Sequence, residues 1–341
     1  MKLKRGTLVI RQVDPSPPFY DPIRDGVTFS LLSTWSACRE KARKSLQGWS
    51  TKASGMGLTF GTITHELLQR IYEDVRLGKI VGVPSAKQVK KYLAQMETLW
   101  RVENPVADVK TLEYFELTML LLESLMPLYF QHWVTDFTER KWEKVEREFK
   151  IPLTLTHMSG RVFTTFLRGK MDGSFRLKGD RGPRLLETKT KVRIEEETIV
   201  DILPFERQVN TYLLALEHID KQAPVGVLYN IIRRPGLHQK KDESLTQFAV
   251  RIVADVKARP DWYFMRYEMV VEEKDLDRFR AEIHDHITDF LAWWYGLSGH
   301  WKESGQCQNV YGTCPYLSAC SANNFTALFK RERVFRELED L

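Results

Sequence analysis

Glu187 and Lys189, in the segment LLETKTK, place a carboxylate and an ammonium two positions apart. In a strand, residues i and i+2 point to the same face. The two groups would then address one volume of space. That is either a surface ion pair, or an acid and a base aimed at a metal and a phosphate. A second acid bears on the choice. Asp172 lies in GKMDG, and the midpoint between 172 and 187 falls between Gly179 and Asp180, inside the turn-like KGDRGP. A hairpin without a bulge puts Asp172 directly across from Glu187, with Cβ atoms ~5 Å apart. Opposed carboxylates repel unless a cation sits between them. Oxygen ligands so placed suit Mg²⁺ or Mn²⁺. The plain alternative is an exposed hairpin face of mixed charge, against which the flanking Leu185 and Leu186 argue for a buried strand.

The elements that must position these groups follow from periodicity. Residues 1–28 carry four prolines and read as an irregular arm. SLLSTWSACREKARKSL has a helical period. GTITHELLQRIYEDVRLG is a clearer helix, with Ile63, Leu67, Leu68, Ile71 and Val75 as its stripe and Gly78 as its stop. Further helices are expected over roughly 85–101 and 108–138. After Lys141 the pattern alternates: KVEREFKIPLTL, RVFTTFLRGKMDGSFRL and PRLLETKTKV read as three strands. PFERQVNTYLLALEHI is a helix with Pro204 near its start, and APVGVLYNIIRR a fourth strand. A helix (about 243–258), a strand in WYFMRYEMVV and a long helix from about Glu273 to Gly296 complete the order. Strands interleaved with helices imply an α/β fold: a mixed central sheet flanked by helices.

The chain has 341 residues, ordinary apolar content and a formal net charge of +6, which suits a polyanionic partner without demanding one. The N-terminus lacks the apolar core of a secretory signal, and the longest apolar stretch is broken by Glu123 and Pro127. No membrane partner is expected, and a cytoplasmic location is. No G-x-x-x-x-G-K-[ST] occurs, so any helicase motor would come from a partner. KARK, KQVKK, RRPGLHQKK and KRER could each track phosphates, although a solvated face is the better reading of any one run. Cys307, Cys314 and Cys320 are spaced x6 and x5, with Cys38 far upstream. Four thiolates suit one zinc or one [4Fe–4S] cluster. Four unrelated buried cysteines are the bland alternative.

GKMDG, then LLETKTK, then RQVNTYLLALE resembles the PD-(D/E)XK nuclease superfamily in its RecB-like branch. There an Asp on one strand is followed by acid-x-Lys on the next and by a helix with Gln-x-x-x-Tyr, matched by Gln208 and Tyr212. An earlier helix offers Gly-x-x-x-His, matched by Gly61 and His65. The match spans about 60–235. The resemblance implies a restriction-endonuclease-like core with an added helical lobe. It implies His65, Asp172 and Glu187 as Mg²⁺ or Mn²⁺ ligands, and catalytic roles for Lys189, Gln208 and Tyr212. One upstream and three C-terminal cysteines flanking such a core look like the iron–sulfur nucleases, among them AddB and the CRISPR spacer-acquisition nucleases. The usual spacing there is C-x2-C-x5-C; only the final x5 is kept here, a variant similar to phage-encoded relatives. By this resemblance Cys38, Cys307, Cys314 and Cys320 hold [4Fe–4S], with zinc as the alternative, and clamp the two ends of the chain together.

The expected organisation is an arm over 1–28, a helical region over 29–140 that bears His65, a nuclease core over 141–300, and a cysteine-rich segment over 301–341. The expected function is a metal-dependent DNA nuclease, acting as an exonuclease in processing, recombination or repair, with DNA as substrate and a helicase or recombination protein as a partner. The alternatives are an inactive nucleic-acid-binding module on the same fold, or an RNA-processing nuclease.

Overall fold

The computed structural model describes residues 20–50, 56–194, 196–309 and 312–330. Most of the expected arm, and all of KRER but its lysine, lie outside them. The end of the arm is part of the fold: α1 (Pro22–Asp25) leads into β1 (Val27–Thr28), which pairs parallel with the sheet. The helix expected across Cys38 is two, α2 (Phe29–Ala37) and α3 (Arg39–Leu46), because Cys38 is extended between them at φ −163 and ψ 116. β2 (Trp49–Ser50) follows.

The helical region is α4 (Met56–Arg76), α5 (Ala86–Glu103), α6 (Val109–His132) and the turn α7 (Thr135–Thr138). Ile63, Leu67, Leu68 and Ile71 of α4 are buried as their spacing requires, and Gly78 beyond it has φ 71. Ser85 and Gln88 form a capping box on α5. Then come β3 (Lys141–Thr156), β4 (Val162–Arg176), β5 (Arg184–Lys191), α8 (Glu196–Ile202), a 3₁₀ turn (Leu203–Phe205), α9 (Arg207–Asp220) and β6 (Gly226–Arg233). Pro204 belongs to the 3₁₀ turn; α9 itself is capped by Glu206, whose side chain accepts the Gln208 N–H. α10 (Leu245–Ala258), α11 (Pro260–Tyr263), β7 (Phe264–Val270) and α12 (Glu273–Trp294) complete the core, and β8 (Gln308–Asn309), β9 (Gly312–Thr313), α13 (Leu317–Ala322) and β10 (Phe329–Lys330) the tail.

The sheet runs β1-β4-β5-β6-β7, with β3 paired antiparallel to β4. β5 and β6 are parallel, joined by the α8–α9 crossover. β6 is buried along its whole length, which explains its mainly apolar run, interrupted by the buried Asn230. Side chains alternate between two cores. Leu185, Val227, Tyr229 and Ile231 face the layer of α9 and α12, whereas Leu186, Leu228 and Ile232 face that of α4, α6 and α10. β3 and β4 break this parity. Val145 and Phe175 pack on the α4 side; Phe149 and Met171, each four residues away, pack on the α9 side. Both strands therefore turn over between these positions. On β3 the turn is taken at Glu146, whose φ is +45, a left-handed backbone uncommon outside glycine.

Candidate active site

The β4–β5 hairpin has the register read from the sequence. Gly173 pairs with Leu186, Ser174 with Leu185 and Phe175 with Arg184. Its turn is closed by Asp180, which accepts from the Leu177 N–H at 2.8 Å and from Arg184 Nε at 2.8 Å. The next step of this register places Asp172 opposite Glu187. The backbone ladder stops one pair short, however, and Asp172 Oδ2 instead accepts the Thr188 N–H at 2.6 Å. The strands fork at this point. β4 goes on beside β1 while β5 goes on beside β6.

Glu187 stands in the fork, 2% exposed. Its Oε1 accepts from Lys189 Nζ at 2.6 Å. Its Oε2 is buried and has no partner among the described residues. Burial, then the charge of Asp172, push its pKa up to about 7. A buried carboxylate oxygen without a donor is costly, and a cation would satisfy it. Lys189 also donates to Gln208 Oε1 at 2.6 Å, and Gln208 Nε2 donates to the Tyr212 hydroxyl at 3.1 Å. Burial opposes the Lys189 ammonium, yet Glu187 more than offsets it and holds the group charged. Gln208 and Tyr212, one turn apart on α9, thus act on the fork through Lys189.

His65 reaches the fork from α4. A Cβ on Gly61 would meet Thr190 Oγ1 at 3.0 Å, so this glycine lets the helix lie close on β5. One turn later His65 Nδ1 stands 3.1 Å from Asp172 Oδ1. Burial opposes charge on the imidazole, but Asp172, Glu187 and Glu146 outweigh it and raise its pKa. All six expected residues are therefore brought together.

Glu146 was not among them. It lies on β3 between the pairs Val145–Gly173 and Arg147–Met171, hence opposite Asp172 of β4. Carboxylates from β3, β4 and β5 so stand in one row. Glu146 is ion-paired with Lys170, and burial raises its pKa. The midpoint between 146 and 172 is Ser159, in the turn between β3 and β4, so the arithmetic that found Asp172 would have found it too. His65, Glu146 and Lys170 open onto a groove of about 940 Å³, walled by α4 and α5. An apolar groove of about 440 Å³ under α12 holds none of the site residues.

The acids and bases of the fork are turned on one another. Among the described residues, no three His, Cys, Asp or Glu groups are gathered as a ready-made cage. The same holds for the cysteines. Cys38, Cys307, Cys314 and Cys320 nevertheless line one pocket of about 30 Å³, with Lys41 and Lys302 at its wall. The Cys314 N–H donates to the Cys307 carbonyl at 2.9 Å. The tail is tied to the N-terminal segment around this pocket: β10 pairs with β2, His300 lies 2.5 Å from Glu40, and the Tyr316 hydroxyl donates to the Trp49 carbonyl at 2.7 Å. The basic runs are engaged at some of their cations. Lys44 is buried against Glu40, Lys90 pairs with Glu123, and Arg233 bonds the carbonyls of Trp262 and Val192. No described helix is long and apolar enough to cross a membrane.

A family model described as the PD-(D/E)XK nuclease superfamily matches residues 27–321. Among solved structures, the "Putative exonuclease" of Eubacterium rectale aligns with a TM-score of 0.46 at 10% identity, over 87% of this chain and 93% of its own. No curated protein matches the chain.

Proposed function

The chain belongs to the PD-(D/E)XK nuclease superfamily, and we propose that it is a Mg²⁺- or Mn²⁺-dependent nuclease that degrades DNA from its ends. The observation that carries this reading is Glu187: a buried carboxylate with one orphaned oxygen, beside Asp172 and tethered to Lys189. His65, Asp172 and Glu187 would hold the cation, which when bound supplies charge neutralisation at the scissile phosphate and a more acidic water. Lys189, fixed by Glu187 and Gln208, presents its ammonium to the attacking water or to the phosphoryl oxygen that gains charge. Gln208 and Tyr212 keep it there. Hydrolysis is direct and needs no protein nucleophile.

The test is digestion of end-labelled linear and circular DNA, single- and double-stranded, alongside RNA of matched sequence. Linear DNA should be degraded with Mg²⁺ or Mn²⁺ and circles spared. Cut circles would make the enzyme an endonuclease; preference for RNA would make it an RNA-processing enzyme; binding without cleavage would make it an inactive module.

Gly61, His65, Gln208 and Tyr212 support the RecB-like branch, and with it service to a helicase or recombination partner. The four-cysteine pocket supports a [4Fe–4S] cluster that clamps the chain ends, as in a phage-type iron–sulfur nuclease. The four cysteines line one small cavity, where their side chains would turn together to bind the group, and the lysines at its wall would offset the net negative charge of a thiolate-bound centre. Zinc fits the same donors. Bridging Cys38 to Cys307 closes nearly the whole chain, worth on the order of 5 kcal/mol by the cross-link entropy model. The protein should purify brown, with broad absorbance near ~400 nm. Cys38→Ser or Cys314→Ser should lose the colour and melt at lower temperature, with cleavage falling only as the folded fraction falls. Colourless protein with stoichiometric zinc would replace the cluster by zinc. Metal-free protein whose serine variants melt unchanged would remove the shared site.

A further inference from the structure

We propose that the common end of β5 and β6 is a phosphate-binding subsite for the substrate strand, with Arg234 as its main contact and Lys191 and Arg193 beside it. The inference rests on the nuclease reading above. Arg234 directly follows β6, and its N–H donates to the Lys191 carbonyl at 2.9 Å. This fixes it where the two parallel strands run out. Its Nε is buried and, among the described residues, has no acceptor. Burial alone acts on its guanidinium, and lowers its pKa. Arg140 and Arg168 each have an orphaned Nε as well, but their guanidiniums are engaged elsewhere, Arg140 with Asp136 and Arg168 with the Asp25 carbonyl, while Arg266 holds Asp136 and Arg184 holds Asp180. A half-buried guanidinium without a counter-charge is costly to keep, and a planar fork of donors matches a phosphate.

Its position suits a substrate already seated on Lys189. Lys189 pairs with Ile231, and Arg234 lies three residues further along the chain, just past the end of β6. At strand rise that is ~10 Å, roughly one or two nucleotides of an extended strand. Lys191 and Arg193 are exposed at the same end. The other approach to the fork is the groove between α4 and α5, whose wall carries Glu66, Glu73, Asp74 and Glu103 against Arg70 and Lys170. Arg70 and the neighbouring Arg76 and Lys79 are already held in ion pairs by Glu66, Glu73 and Asp74, so that wall offers a phosphodiester chain fewer free cations than the strand end. On the proposed path the substrate strand leaves the fork over the basic strand end.

The experiment measures binding of labelled oligonucleotides in EDTA, where nothing is cleaved, by fluorescence anisotropy across salt concentrations. Arg234→Gln should weaken binding on the order of ten-fold, the scale of one charge-assisted contact. It should also make the salt dependence shallower by about 0.7–0.9, one phosphate's worth. Arg234→Lys, which keeps the charge without the fork, should keep the salt slope and lose part of the affinity. A single neutral methylphosphonate linkage, moved along the oligonucleotide, should at one position cost the wild type that same factor and cost Arg234→Gln nothing more. Neither variant should melt below the wild type, because no internal partner is lost. Unchanged affinity and slope in Arg234→Gln, or neutral linkages that cost it as much as the wild type at every position, would overturn the subsite. If the wild type cleaves normally in that case, only the subsite falls. A wild type that neither binds nor cleaves any nucleic acid would instead overturn the nuclease reading itself.

Discussion

Glu187→Gln and Asp172→Ala should abolish cleavage without unfolding the protein. The loss should be complete within detection, because each side chain supplies an oxygen for which the fork offers no substitute. Stability is the informative half. Glu187 is buried, carries an orphaned oxygen and faces the like charge of Asp172. Neutralising it removes repulsion and desolvation together. In EDTA the Glu187→Gln variant should therefore melt at or above the wild type, as expected where function and stability are in conflict. With Mg²⁺ or Mn²⁺ the order should reverse, since binding to the folded state stabilises only the protein that retains its ligands. Ca²⁺ should bind without supporting turnover, because its looser geometry misplaces the attacking water. A Glu187→Gln variant that is both active and destabilised would mark the residue as structural.

Lys189→Ala should lower the rate by ~10²–10³, the usual cost of removing a preorganised charge from a reacting centre. Cation affinity, followed by calorimetry with Mn²⁺, should hold or tighten, because the ammonium now occupies Glu187 Oε1. This separates it from the carboxylates, whose loss removes binding and rate together. Lys189→Arg should rescue poorly. The guanidinium is larger and planar, and it cannot meet Glu187 and Gln208 as a compact point charge. Gln208→Ala should cost less than Lys189→Ala, as expected of a group that acts through the lysine. Equal rates in wild type and Lys189→Ala would leave LLETKTK an ordinary strand.

Much of this site was legible because strands obey simple arithmetic. The parity of Glu187 and Lys189, and the midpoint rule for Asp172, depend only on extended backbone and a short turn, and the hairpin has that register. The α4 stripe and the shared face of Gln208 and Tyr212 follow from helical period alone. Glu146 escaped notice because KVEREFK alternates charge like any solvated edge. Its left-handed backbone comes from the sheet turning over, which is a property of the pairing and not of the local sequence. The break at Cys38 was invisible for a related reason. Nothing in SLLSTWSACREKARKSL forbids one continuous helix, and the extended residue is set by where the tail docks. Pro204 lies outside α9, in the 3₁₀ turn that precedes it, because Glu206 caps the helix and starts it at Arg207.

The most direct test of the site is one gel: end-labelled linear DNA with wild-type protein and with Glu187→Gln, each in Mg²⁺ and in EDTA. Product should appear in the wild-type Mg²⁺ lane alone. Cleavage that survives EDTA, or that persists undiminished in Glu187→Gln, would contradict a cation-dependent nuclease centred on the fork between β4 and β5.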